Sequence, residues 1–263
     1  MDLQLSGRRA FVSGSTQGIG YAIARGLLTE GAMVVINGRS QATVDRAVKA
    51  LETEIPNAAV TGITADFADE RQTSALLDSV GDVDILINNV GVFELSEFGD
   101  ISDDEWQRYF DINLMSGVRL SRHALPGMRE RGWGRVLFIG SESGVNIPAD
   151  MVHYGVTKAA MIALSNGLAK LTRGTEVTVN TVLGGPTYSD GVAGTVRAIS
   201  EAQAVPTDAM KAAIIGENRT SLIERFIDPA EIAYLVLYLA SPLASATNGA
   251  AVRADGGVLT TIL

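Results

Sequence analysis

Tyr154-Gly155-Val156-Thr157-Lys158 sets a phenol and an ammonium four residues apart, on one face of a helix that the pattern carries to about residue 172. A free phenol, with a pKa of about 10, is a poor acid–base group near neutrality. A neighbouring ammonium stabilises the phenolate, so Lys158 is expected to bring the Tyr154 pKa down toward the working range. The pair alone says little, because a core tyrosine beside a surface lysine is commonplace. Ser141 stands thirteen residues earlier, in Gly140-Ser141-Glu142-Ser143-Gly144. A hydroxyl there could hold a carbonyl oxygen beside the phenol; Ser143 competes by proximity, and an ordinary turn serine is the bland alternative. The chemistry these groups suit is proton exchange with the oxygen of a carbonyl or alcohol.

A second group suits a dinucleotide. Gly14-Ser15-Thr16-Gln17-Gly18-Ile19-Gly20 lies between an expected strand over residues 9–13 and an expected helix over 19–30. A pyrophosphate needs backbone N–H donors, approach without Cβ atoms, and the positive end of a helix. The spacing departs from the commoner Gly-x-Gly-x-x-Gly, and in a chain with 28 glycines the triplet carries weight only through its strand–turn–helix setting. The second strand ends Ile36-Asn37-Gly38-Arg39-Ser40, with no acid before Asp45 to hold ribose hydroxyls. Arg39 could instead hold a 2′-phosphate, with Ser40 or Asn37 adding a hydrogen bond. The reading is NADP(H) preferred, with NAD(H) left open; a solvated loop arginine is the alternative.

The elements that must position these groups alternate. Strands are expected over 9–13, 33–37, 59–63, 84–88, 135–139 and 176–183, with helices over 19–30, 42–51 and 69–79 between them. Near-continuous apolar strands separated by helices imply a parallel sheet covered on both faces. The expected class is therefore α/β: a three-layer, doubly wound Rossmann sheet of about seven strands, in one domain. Ser102 with Glu105 reads as a capping box, and Asp228-Pro229-Ala230-Glu231 as a capped helix start. The long irregular stretch 184–225 follows the sixth strand, at the ligand edge of such a sheet, and is expected to be a substrate lid.

Composition limits the alternatives. The net charge of −9 argues against a nucleic-acid binder. With no cysteine and two histidines, thiolate chemistry and a metal site are not expected. Residues 1–10 lack the apolar core of a signal peptide, and the longest apolar stretch, 232–240, is too short to span a bilayer; no membrane partner and a cytoplasmic location are expected.

Together, Gly14-xxx-Gly18-Ile19-Gly20, Asn88-Asn89-Val90-Gly91, Asn113, Ser141 and Tyr154-xxx-Lys158 resemble, in order and spacing, the single-domain branch of the short-chain dehydrogenase/reductase family over nearly the full length. The resemblance implies roles. Tyr154 would exchange the proton, Ser141 would hold the substrate oxygen, and Lys158 would bond the nicotinamide ribose. Asn113 would anchor a water relaying protons from Lys158. Asp66 and Phe67 would sit at the adenine, Asn89 and Gly91 along the cofactor near its ribose, and Thr187 and Ser189 at the carboxamide. It also implies a homotetramer or dimer through the helices over 113–131 and 154–172, and Ala254-Asp255-Gly256-Gly257 matches the family's last strand. The chain departs from the pattern at Ser13 for threonine, Val90 for alanine, and Gly184 for proline; the last implies a looser backbone beside the nicotinamide.

The expected activity is thus hydride transfer between NADP(H) and a carbonyl or alcohol carbon of a small or lipid-like substrate. Two other readings stay open: a 3-oxoacyl chain on an acidic carrier docked at Arg129, Arg131 and Arg173, and a cofactor-sensing regulator without catalysis. Glu142, Asn146 and His153 are expected to shape the pocket, with a packed histidine the blander view of His153.

Overall fold

The computed structural model describes residues 2–217 and 220–262; positions 218 and 219 of the expected lid lie outside the described residues. The sheet has seven strands in the order β3-β2-β1-β4-β5-β6-β7, all paired parallel: β1 Arg9–Val12, β2 Met33–Gly38, β3 Val60–Thr64, β4 Ile85–Asn88, β5 Trp133–Ser141, β6 Glu176–Gly184 and β7 Ala251–Ala254. The strand order reverses at the β1/β4 boundary, where a doubly wound sheet opens a crevice beyond its carboxyl ends.

Strand side chains alternate between two apolar cores. Ala10 and Val12 face a core with Ile23 and Leu27 of α1 (Gly18–Thr29), Leu51 of α2 (Gln41–Glu54) and Val236 of α9 (Pro229–Ala240). Phe11 faces the opposite core with Leu76 of α3 (Glu70–Val80), Leu120 of α5 (Ser116–Glu130) and Met161 of α6 (Val152–Lys170). Each fully buried Ile, Leu or Phe contributes roughly 1.5–3 kcal/mol. Gly26 lets α1 and α9 approach, since a Cβ there would stand 2.6 Å from Leu237 Cδ1.

Several boundaries differ from the expectation. Trp133 pairs with Glu176 and Ser141 with Gly184, so β5 and β6 run nine residues each and project Ser141 to the crevice edge. The last strand stops at Ala254; Asp255-Gly256-Gly257 is a turn, with both glycines at positive φ (64° and 80°) and Asp255 accepting the Gly257 and Leu259 N–H groups. The segment ahead of α5 is not simple α-helix. α4 (Asp103–Tyr109), capped by Ser102, runs into a π-helical turn over Phe110–Met115 before α5 begins. The extra residue of such a turn rotates the side chains that follow. The stretch after β6 is also more regular than expected. It holds α7 (Asp190–Gln203), capped by Ser189, and α8 (Thr207–Glu217), because Ala204 takes a left-handed φ of 52° and breaks one helix from the next. At α9 the expected capped start is a reciprocal capping box of Asp228 and Glu231 around Pro229, whereas the capping box expected at α4 is one-way: Ser102 accepts the Glu105 N–H and the Glu105 carboxylate bonds Arg108 instead.

Among the described residues no helix is long and apolar enough to cross a membrane, and no group of three or more His, Cys, Asp or Glu could hold a metal ion.

Candidate active site

A cavity of about 650 Å³ opens beyond the carboxyl ends of β1, β2 and β4. Gly14, Thr16, Gln17, Gly18, Ile19, Arg39, Asp66, Phe67, Asn89, Gly91 and Ser189 all line it, so eleven residues chosen from sequence converge on one crevice. Gly14 and Gly18 sit at φ 60° and 61°, where a side chain would be strained. Gly20 has a packing role, since a Cβ there would lie 2.5 Å from the Gly14 carbonyl and from Asn89 Nδ2.

The polar groups behind this turn are already engaged. Ser15, fully buried, donates from its N–H to the Asn37 carbonyl at 2.8 Å and from Oγ to the Val12 carbonyl at 2.6 Å. Asn37 accepts the Gly14 N–H and donates to the carbonyls of Ile63 and Ala65, so it ties three strands and has no donor left for a phosphate. Ser40 caps α2 through Thr43. Arg39 is different: it is exposed on the cavity rim and makes no hydrogen bond or ion pair among the described residues. Asn89 Nδ2 donates to the carbonyls of Ser13 and Gly14, which welds β4 to the turn, while Ser13 Oγ accepts the Asn89 N–H. Asp66 Oδ1 accepts the Ala68 N–H, and the Phe67 side chain belongs to the core.

One donor of the turn faces an anion. The Gly18 N–H, at the start of α1, bonds Asp190 Oδ2 at 2.7 Å. An N–H at a helix N-terminus favours such a charge. The turn, its side-chain-free approach and this seat fit a dinucleotide phosphate, and Arg39 fits a 2′-phosphate.

At the inner end Phe93, which lines the cavity, meets the Tyr154 ring edge-on at 6.2 Å. Tyr154 is half-buried on the first turn of α6, with its phenol near the Ser141 hydroxyl at the end of β5. Ser141 Oγ accepts the Ser143 N–H at 3.1 Å, and the Ser143 hydroxyl is itself engaged by Glu142. Burial pushes the Tyr154 phenol up to about 12, against the influence of the nearby Ser141 hydroxyl and with the charge of Glu142 adding to the rise. This reverses the expected lowering by Lys158. The ammonium is itself buried, which pulls its pKa down to about 8. It donates to the Ile139 carbonyl at 2.9 Å and lies 5.6 Å from the Tyr154 ring centroid. In the chain alone desolvation outweighs charge attraction.

Asn113, carried inward by the π turn, is fully buried. Its Nδ2 donates to the Val92 carbonyl and to Thr157 Oγ1, its Oδ1 accepts the Val92 N–H at 2.8 Å, and Thr157 Oγ1 donates to the Tyr154 carbonyl. The amide therefore clamps the loop after β4 to the turn of α6 that carries the phenol. A Cβ on Gly91 would stand 3.4 Å from Lys158 Nζ and 3.6 Å from Asn113 Oδ1, which places all three together.

Other expectations fare differently. Thr187 is buried, its Oγ1 bonds the Gly185 carbonyl, and it bridges to Ile227 away from the cavity wall. Gly185 is not loose: a Cβ would lie 2.5 Å from the Asp255 carbonyl oxygen. His153 is packed, its ring 4.0 Å from Tyr109 and edge-on to Trp106. Asn146 is exposed. Arg131 already pairs with Asp82 at 3.1 Å and bonds the Val83 carbonyl, which removes one of three cations from the carrier-docking patch. Sequence reasoning missed Val92, Phe93, Glu94, Arg108, Thr195 and Asp190 at or beside the cavity. The first three directly follow Asn-Asn-Val-Gly and were within reach of that motif; the others arrive from distant elements with no local signal.

Comparison with known proteins agrees with this geometry. The short chain dehydrogenase family matches residues 8–199. An uncharacterised oxidoreductase of Bacillus subtilis (strain 168), YvrD, is 44% identical over 98% of this chain and 99% of its own. A D-beta-hydroxybutyrate dehydrogenase of Cupriavidus necator is 30% identical over 96% of this chain and 98% of its own. Among solved structures, L-sorbose reductase from Gluconobacter frateurii, complexed with NADPH and L-sorbose, superimposes with a TM-score of 0.94 at 31% identity over 100% of both chains.

Proposed function

The chain belongs to the short-chain dehydrogenase family, and we propose that it works as an NADP(H)-preferring oxidoreductase in which Tyr154 passes the proton to or from the substrate oxygen. Oxidoreduction between alcohol and carbonyl carbons is the activity of its relatives; the cofactor preference and residue roles are our reading. The observation that carries it is the buried Lys158 ammonium, 5.6 Å from the Tyr154 ring centroid and 3.4 Å from where a side chain on Gly91 of the cavity wall would begin, with the Ser141 hydroxyl at the adjoining end of β5. The nicotinamide, when bound, supplies or takes up the hydride.

The chain's own groups do the rest. Ser141 and Tyr154 direct two hydroxyls at one substrate oxygen, so they stabilise charge that develops there in the transition state. A phenol raised to about 12 holds near neutrality the proton that carbonyl reduction requires, and as a weaker acid than a free phenol it needs the Lys158 charge to release it. Lys158 reaches a ribose from beneath the phenol and offers its charge to the emerging phenolate. Asn113, through Thr157, holds the Tyr154 turn against the loop after β4, and a water relay from Lys158 to solvent would start beside its Oδ1. The glycine turn seats the pyrophosphate, Asp66 and Phe67 flank the adenine, Asn89 and Gly91 the ribose, and Ser189 the carboxamide. Arg39 supports NADP(H) because its guanidinium has no other partner among the described residues.

We also read α7 and α8 as the substrate lid of a single domain. A homo-oligomer, tetramer or dimer, is supported by an apolar groove between α6 and β7 lined by Val145, Ala159, Ile162 and Ala163. The test is NADPH oxidation against a panel of ketones, with binding followed in parallel by nucleotide fluorescence. Turnover of at least one ketone is expected; tight NADPH binding with none would favour the regulator instead.

A further inference from the structure

Glu142 follows Ser141 directly, in the short 3₁₀ turn Glu142–Gly144 that ends β5. Its carboxylate is half-buried and has no cationic partner among the described residues. Oε1 accepts the Ser143 hydroxyl at 2.9 Å; Oε2 takes no hydrogen bond, and it is not among the side-chain atoms sealed from solvent. The strand register sets Ser141 beside Gly184 and Gly184 beside Ala254, so Glu142 stands one residue past Ser141, level with buried Asp255, the first residue past β7. The electrostatics agree: the Glu142 charge raises the Tyr154 phenol, and that of Asp255 acts on Glu142 in turn. Glu142 thus lies over the carboxyl ends of β5 to β7, next to the hydroxyl of Ser141.

A lone half-buried carboxylate is costly, and beside a reacting oxygen it opposes the negative charge that develops there. A substrate that brings a donor to Oε2 removes both objections. We propose that Glu142 selects neutral polyhydroxylated substrates, ketoses and the polyols they reduce to, by accepting a hydrogen bond from the hydroxyl on the carbon next to the reacting one. This rests on the hydride-transfer reading above.

The competing substrate chemistries fit less well. A carboxylate substrate would meet repulsion from Glu142, which no cation balances among the described residues. An apolar ketone would desolvate Oε2 without a donor, and sites built to bond a hydroxyl reject analogues that lack it.

Three four-carbon ketones of matched shape test this with NADPH: racemic erythrulose, 2-butanone and acetoacetate. In the parent, kcat/KM for erythrulose should exceed the other two by about a hundredfold. In Glu142→Leu the erythrulose-to-butanone ratio should fall about tenfold or more. In the isosteric Glu142→Gln that ratio should also fall, and the acetoacetate-to-butanone ratio should rise as the repelling charge goes. NADPH fluorescence reports whether each variant keeps its fold; if Glu142→Leu fails that check, the parent ratio and Glu142→Gln decide. A parent that prefers butanone or acetoacetate, or variants whose erythrulose-to-butanone ratio stays within about twofold of the parent's, would overturn the proposal and leave hydride transfer standing. No turnover of any ketone or alcohol with either nucleotide would overturn both.

Discussion

The Asp190 carboxylate and the Gly18 N–H meet at 2.7 Å, so the first residue of α7 caps the N-terminus of α1 across the crevice. Ser189 follows it closely, with Cβ 3.4 Å from where a Gly18 side chain would begin. The segment after β6 thereby closes on the place where an anionic ligand would bind, with an anion of its own.

Asp190 should therefore compete with a dinucleotide phosphate. Asp190→Asn keeps the shape and removes the charge, and a charge-assisted bond exceeds a neutral one by about 1 kcal/mol, so the NADPH Kd is expected to drop about fivefold. Fluorescence titration reads this directly. Unchanged or weaker binding would show that the contact does not oppose the ligand.

Tyr154→Phe removes one hydroxyl and leaves the ring against Phe93. Loss of the proton donor should lower kcat by about a thousandfold or more. NADPH affinity should change by less than about twofold, because the ring and its contact with Phe93 at the cavity remain. Steady-state rates near the parent's would refute the assignment.

Arg39→Ala should weaken NADPH by about tenfold or more and leave NADH nearly alone, since only the former carries a 2′-phosphate. The comparison needs Kd values for both nucleotides at one ionic strength. Equal losses would make Arg39 a solvated surface cation.

Lys158 gives a pH signature. Its folded pKa of about 8 lies below the unfolded value of 10.5, so the fold holds the ammonium at a cost of about 3 kcal/mol near pH 7. The unfolded chain binds more protons between those two values, so this cost fades as pH rises from about 8 to 10.5. Lys158→Met should raise Tm by roughly 2–6 °C at neutral pH, lose that advantage in alkali, and lose turnover throughout. A lower Tm at neutral pH would mean that the bond to the Ile139 carbonyl outweighs the desolvation.

Much of the site was legible because its signals are local. The tyrosine and lysine share a face by helical periodicity, and Gly14 to Gly20 read as a phosphate turn because a strand precedes them and a helix follows. The electrostatics were not legible. Lys158 was expected to acidify Tyr154, yet burial of both groups governs their proton affinities, and burial depends on Ile139, Gly91 and Asn113 arriving from three other elements. The π turn before α5 left no mark in the residue pattern, although it brings Asn113 inward.

The order of apolar runs and glycine turns by itself determined a parallel, doubly wound sheet and the placement of Tyr154 and Lys158 four residues apart on one helix, because both depend on spacing along one chain. Only the tertiary structure decided which polar groups remain free. Asn37, Ser15 and Asn89 spend their hydrogen bonds on the fold, whereas Arg39 and one oxygen of Glu142 do not. Hydrogen-bond satisfaction depends on which distant strands and turns come together, and no spacing rule along the chain encodes that.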